Sequence, residues 1–178
     1  MPLAIAFGEK YRVKGFDINP ERIAELCNGI DHTLETDPGQ LLKLLQAFTD
    51  DHSSSGIFFT DDAQPLADCT VYIITVPTPV DEFKEPDLSL LSEATKTVAA
   101  ILQKGGLVIY ESTVYPGCTE EIGVPILDEI SGLRFNIAFF CGFSPARINH
   151  GDKSRTIADI RKIKSGYQPA AANKADPL

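Results

Sequence analysis

Two short apolar runs constrain this chain more than any other feature: VYIITV at Val71–Val76 and LVIY at Leu107–Tyr110. Runs so short and so uniformly apolar fit strands covered on both faces, which belong chiefly to parallel sheets. Parallel neighbours need a crossover, usually a helix. The intervening sequence supplies one, with Leu88, Leu91, Thr95, Val98 and Leu102 on neighbouring helical faces. Asp87 is the expected N-cap, and Gly105-Gly106 the stop. Pro77 and Pro79 end the first strand.

The same alternation runs through the rest of the chain. Tyr11–Asp17 (YRVKGFD) reads as a strand ending in an acid. Asn19 is placed to cap a helix with Pro20 in its first turn and Ile23 and Leu26 three apart. Leu41, Leu42, Leu44 and Leu45 predict a helix after Pro38. The polar DDHSSSG is a loop, Ile57–Thr60 a short strand and Gln64–Asp68 a helical turn. A helix is expected from about Thr119 to Ile130, bent at Pro125, which has no backbone N–H to donate. Ile137–Phe140 reads as another strand, and Ile160–Ser165 as a last one. The fold class is therefore α/β, a doubly wound, mainly parallel sheet with helices on both faces. One domain spans 1–166, followed by a frayed tail or interrupted helix at 167–178.

Composition excludes several classes. The chain has 178 residues and 25 acidic against 16 basic side chains, a formal charge of -9. That balance argues against non-specific binding to a nucleic-acid backbone. No run approaches the roughly 18 apolar residues of a spanning helix, and no basic segment precedes the apolar start, so no membrane partner or signal peptide is expected. Cys27, Cys69, Cys118 and Cys141 form no C-x-x-C pair, and His32, His52 and His150 are dispersed. We expect no metal, and mostly buried thiols in a cytoplasmic protein.

In open parallel sheets ligands bind outside the carboxyl ends of the strands. Here those ends carry Asp17, Thr75–Thr78, Glu111–Thr113 and Ser144–Arg147. An acid at an early strand tip accepts hydrogen bonds from an adenosine ribose, normally downstream of a glycine-rich turn. Met1–Glu9 fits the end of a first helix, but no G-x-G-x-x-G precedes it. The expectation is a Rossmann-like sheet of order 3-2-1-4-5-6 lacking its first strand and glycine-rich turn, and therefore gapped, rearranged or completed by another chain.

Four segments in order, GFDIN…RI, TVPTP, YESTVYPG and FFCGFSP-x-RINHGDK, resemble the UDP-glucose/GDP-mannose dehydrogenase family. Within it, the match looks closest to bacterial UDP-N-acetylglucosamine/UDP-N-acetylgalactosamine 6-dehydrogenases of surface-polysaccharide synthesis. The resemblance runs from Pro2 to about Gly166. It implies NAD as cofactor and oxidation of a UDP-N-acetylhexosamine C6 alcohol to the carboxylate, through an aldehyde stage and a cysteine thioester. It also implies a homo-oligomer in the full-length enzyme.

Carried onto this sequence, the resemblance makes Asp17 the acid that holds the ribose hydroxyls and Arg22 a basic neighbour on the adenosine side. Thr75, Val76, Pro77, Thr78, Glu111 and Ser112 bind the cofactor, as Asp17 and Arg22 do. Thr113 helps place a catalytic water or the substrate alcohol, a task for a hydroxyl that orients a proton carrier but is too weak a base alone. Arg147, Ile148 and Asn149 approach substrate. Ala146 departs from the family, which normally carries glutamate there, and a methyl group neither takes a proton nor stabilises charge. The family's nucleophilic cysteine belongs to a C-terminal domain, so Cys141 is expected to be core packing. This chain alone is therefore expected to be inactive. An alternative is a non-catalytic binding or assembly protein that pairs with a full-length homologue. A third is an unrelated oxidoreductase or methyltransferase-like fold, in which the three downstream motifs are not expected.

Overall fold

A computed structural model describes residues 1–50, 52–80 and 86–144, together with the backbone of 165–166. These residues group into two compact units, one within Met1–Pro65 and the other within Leu66–Arg147, the latter joined by Ser165–Gly166.

In the first unit, helix α1 (Pro2–Gly8) leads into strand β1 (Arg12–Phe16), helix α2 (Pro20–Cys27), helix α3 (Pro38–Thr49) and strand β2 (Gly56–Thr60). Both later helices begin as their sequences dictate. The Asn19 side chain accepts from the N–H groups of Glu21 and Arg22, and Asp37 accepts from Gln40; each cap is followed by a proline in the first turn. Strands β1 and β2 pair in parallel, with Arg12 opposite Gly56 and Phe16 opposite Thr60. Ile5, Ile23, Leu26, Leu41, Leu44, Ile57 and Phe59 form one core, one apolar stripe from each helix against the strands. Outside it, Arg12 lies over the Phe48 ring and donates to the carbonyls of Phe48, Asp50 and Ser53. That contact fastens the loop before β2.

The second unit starts with a 3₁₀ turn (Gln64–Leu66, its first two residues lying in the first unit) and strand β3 (Val71–Ile74). Then come helix α4 (Ser89–Ile101), strand β4 (Leu107–Tyr110), a π-helical turn (Thr119–Gly123), helix α5 (Val124–Ser131), strand β5 (Phe140–Phe143) and strand β6 (Ser165–Gly166). Its sheet has the order β3-β4-β5-β6, parallel except for β6. Register places Tyr72, Ile74, Val108, Tyr110 and Cys141 on one face. There the Tyr110 hydroxyl lies 3.2 Å from that of Thr95 on α4. Val71, Ile73, Leu107, Ile109 and Phe140 share the opposite face. All four residues of β4 are buried, as its sequence required.

The parallel α/β class stands, and the strands form two hydrogen-bonded sheets rather than one. No strand pair joins the two sheets among the described residues.

Several boundaries differ from the sequence reading. Strand β3 stops at Ile74, two residues early, before the proline-rich turn. The expected strand at Ile137–Phe140 begins only at Phe140. Asn136 has φ 59°, the N–H groups of Ile137 and Ala138 turn back to the Arg134 carbonyl, and Ile137 is exposed. A tight turn has taken apolar residues that alternation assigned to a strand. The helix expected over about 119–130 runs helically throughout in two registers, a π-helical turn to Gly123 and then α5, which carries Pro125 in its first turn. The N-cap position of α4 is Leu88, although the Asp87 carboxylate still accepts from the Ser89 N–H, which holds its pKa below the usual range. Helix α4 also ends at Ile101, before the glycines meant to stop it. Of the thiols, only Cys118 and Cys141 are buried; Cys27 is exposed and Cys69 half-buried. The expected strand at Ile160–Ser165 is described only at its end, and the tail at 167–178 lies outside the described residues.

Candidate functional site

Each unit carries part of the predicted constellation at the carboxyl ends of its strands. In the first unit Asp17 follows β1 directly. Its N–H continues the ladder to the Thr60 carbonyl, so the backbone is fixed while the side chain stands in solvent. Asp17 Oδ1 accepts from the Asn19 N–H at 2.9 Å. Oδ2 has no hydrogen-bond partner among the described residues. The carboxylate is thus oriented on one oxygen and open on the other, as a group that accepts from a ribose hydroxyl must be.

Arg22, in the first turn of α2, is placed differently from an arginine held out to a ligand. Its guanidinium donates to Asp31 Oδ1 through Nη2, and its Nη1 lies 3.5 Å from Glu25 Oε2 and 3.1 Å from His32 Nδ1. Glu25 is in turn paired with His32. The Asp31 side chain is only 1% exposed and that of Arg22 11%. Asp31 also accepts from the Thr33 N–H and hydroxyl and from the Thr36 hydroxyl. Burial would raise its pKa, but the bonds from Arg22, Thr33 and Thr36 outweigh burial and hold the carboxyl far below its ordinary range. The sequence reading gave Asp31 no role. Its signal was there in DHTLET, an acid with hydroxyls two and five residues on.

In the second unit, hydroxyls stitch the loops after β3 and β4 together. The Thr78 hydroxyl donates to the Thr113 carbonyl at 2.7 Å, and Ser112 Oγ to the Val76 carbonyl at 2.6 Å. The structure thus brings Thr75–Thr78 and Glu111–Thr113 together. Glu111 and Ser112 are buried, whereas Thr75, Pro77 and Thr113 are exposed. The Thr113 hydroxyl makes no hydrogen bond among the described residues, which leaves it available at the loop surface.

Directly beyond it, Val114, Tyr115, Pro116, Gly117, Thr119, Glu120 and Phe143 line a cavity of about 250 Å³, smaller than a whole-ligand site. Its floor begins the π-helical turn, a geometry frequent at functional sites. Gly117 has φ 97°, so the YPG turn is the sequence signal for this cavity; the sequence reading used it within YESTVYPG for the family resemblance but gave it no role of its own. Ser144, at the end of β5, is buried, and its hydroxyl has no partner among the described residues. Cys141 is buried in β5, and burial pushes its thiol pKa well up, as fits core packing rather than a nucleophile. Ala146, Arg147, Ile148 and Asn149 lie outside the described residues. Among the described residues no group of His, Cys, Asp or Glu could hold a metal.

An oriented carboxylate at a parallel strand tip, cross-tied loops at two further tips and the alternating topology define a dinucleotide-binding α/β domain. Residues 1–175 match the NAD binding domain of the UDP-glucose/GDP-mannose dehydrogenase family, and the chain belongs to that family. It is 51% identical to the UDP-N-acetyl-D-glucosamine 6-dehydrogenase of Pseudomonas aeruginosa and 46% identical to that of Salmonella typhi. Each alignment takes in 100% of this chain and 40% of the relative. Among solved structures, UDP-D-ManNAc dehydrogenase from Pyrococcus horikoshii superposes with a TM-score of 0.86 at 33% identity, over 99% of this chain and 40% of that one. The chain thus spans about two fifths of the length of these relatives. NAD is the cofactor of the domain. The residues present fit its adenosine end, where Asp17 keeps an oxygen free for a ribose hydroxyl.

Proposed function

We propose that this chain serves, within a dehydrogenase of UDP-N-acetylhexosamines, as the part that binds NAD and carries one side of the reaction site. The overall reaction is oxidation of the C6 alcohol to the uronic acid, a precursor of surface polysaccharide, in an enzyme that is a homo-oligomer at full length. The observation that carries the reading is the Asp17 carboxylate, tied by Asn19 on one side and open on the other. When bound, NAD⁺ supplies the hydride acceptor. Asp17 accepts from the ribose hydroxyls, and the Thr75–Thr78 turn, braced against Thr113 and Ser112, presents backbone to the cofactor. Thr113 orients the water or substrate alcohol whose proton leaves as hydride is lost; its carbonyl is fixed by Thr78, so its hydroxyl starts from a defined position. Glu111 and Ser112 hold the strand end rigid, and Arg147, Ile148 and Asn149 contact the sugar nucleotide.

Isothermal titration of the chain with NAD⁺ tests the reading. Saturable binding is expected, weakened about tenfold or more by Asp17→Ala, the scale of a lost hydrogen bond to a charged group. Absence of saturable binding, or an Asp17→Ala variant that binds as well as its parent, would sink it. Incubated with NAD⁺ and UDP-N-acetylglucosamine or UDP-N-acetylgalactosamine, the chain alone should release no NADH.

A further inference from the structure

The chain just after Thr113 is gripped by one acid. Tyr115-Pro116-Gly117-Cys118 forms a tight turn: the Cys118 N–H donates to the Tyr115 carbonyl at 3.2 Å, proline holds the second place and Gly117, with φ 97°, the third, as in a type II turn. Such a turn is locally stiff and moves as one piece. Glu121, in the π-helical turn, holds that piece twice. Its backbone N–H donates to the Gly117 carbonyl at 2.9 Å, and its Oε2 accepts from the Tyr115 hydroxyl at 3.0 Å. A Cβ on Gly117 would stand 3.2 Å from Glu121 Oε1, so the bare glycine lets the carboxylate lie this close. On the other side, the Thr113 carbonyl accepts from the Thr78 hydroxyl. Only Val114 separates the two anchorages.

We infer that Glu121 is a positioning residue for Thr113: by clasping the Tyr115 hydroxyl it fixes the backbone from which the Thr113 hydroxyl is aimed. The inference rests on the role given to Thr113 above. Glu121 acts through Tyr115 and the turn, not on the reacting atoms. A threonine carries two heavy atoms on its Cβ, and its rotamer follows its own backbone angles. Anchoring the chain on both sides of Thr113 therefore selects one hydroxyl direction before a water or an alcohol arrives, which removes that ordering from the reaction step. Phenylalanine at position 115 keeps the ring and forfeits the donor. Glutamine at position 121 keeps an acceptor for it.

The Thr113 rotamer can be read in the full chain, without nucleotide, from three-bond scalar couplings to its methyl carbon. The parent should show one dominant rotamer. Tyr115→Phe and Glu121→Ala should each lower the ratio of that rotamer to the others about fivefold, the scale of one lost hydrogen bond. Both side chains are exposed, so neither change should unfold the chain. The double variant should be no worse than either single one, because both remove the same bond, and Glu121→Gln should keep the parent couplings. Thr95, buried in α4, is the control and should not change in any variant. An averaged rotamer in the parent, an unaltered one in Tyr115→Phe, or losses that add in the double variant overturn the inference. So does averaging that spreads to Thr95 or that Glu121→Gln fails to prevent. Titration of the parent with NAD⁺ reads the functional proposal separately: a chain that binds no NAD⁺ sinks that reading whatever the couplings show.

Discussion

At the scale of single residues, the most consequential side chain is one without any apolar or catalytic signature. Asp31 is a buried carboxylate that accepts from an arginine and two threonines. Removing one partner of a buried ion pair leaves the other charge uncompensated, so Asp31→Ala should destabilise the chain by about 3 kcal/mol at neutral pH in urea unfolding. The sign of the pH dependence follows from its depressed pKa. A carboxyl more acidic in the folded than in the unfolded state stabilises fully above the unfolded value, about 3.9, and loses that stabilisation as pH falls toward the folded value. The gap between parent and Asp31→Ala should therefore be widest near neutrality and narrow below about pH 4. A gap constant down to pH 3 would show that the charge does not matter. Asp17 is the converse case, exposed and held by one bond, and its loss should cost cofactor affinity far more than stability.

Between elements, α4, β4 and the π-helical turn meet at one point. The Tyr110 hydroxyl lies beside Thr95, and Thr95 donates to the Leu91 carbonyl within α4. Gly123 packs directly on that phenol: a Cβ there would stand 2.5 Å from the hydroxyl oxygen and 2.7 Å from the ring carbon bearing it. Gly123→Ala should therefore cost about 1–3 kcal/mol by overpacking, read by thermal or urea unfolding. Tyr110→Phe, which forfeits one buried hydrogen bond, should cost about 1 kcal/mol. Because the two side chains compete for the same space, the double variant should be less destabilised than the two single costs predict, with the ring carbon keeping rescue incomplete. Strict additivity would mean that the turn yields elsewhere. A similar close approach fixes the entry to β2, where Gly56 has φ 129° and a Cβ would lie 2.5 Å from the Phe48 nitrogen.

For the molecule as a whole, thiol reactivity gives a direct check on the packing. A disulfide reagent at mild alkaline pH should modify Cys27 first and Cys69 more slowly, with Cys118 and Cys141 reacting only on unfolding. Rapid labelling of Cys141 in the native state would contradict its place in β5. Local chemistry made much of this architecture legible. The Asn19-Pro20 cap, the helix at Pro38, the buried β4 run and the Ile23/Leu26 and Leu41/Leu44 stripes act within a few residues, and each lies where its sequence put it. So does Asp17, because a strand's end and the residue after it are neighbours in the chain. The rest depended on partners distant in sequence. That Arg22 turns to Asp31 rather than outward, that Ser112 and Thr78 brace loops some 35 residues apart, and that Ile137 falls in a turn were set by competition among hydrogen bonds. The sequence by itself determined the alternating α/β pattern, the starts of α2 and α3, the family and the acid at the strand tip, since periodicity and capping are short-range. Only tertiary structure decided which charges are spent internally and that the strands pair as two separate sheets. Pairing and desolvation are free energies of groups brought together in space, and no spacing along the chain encodes them directly.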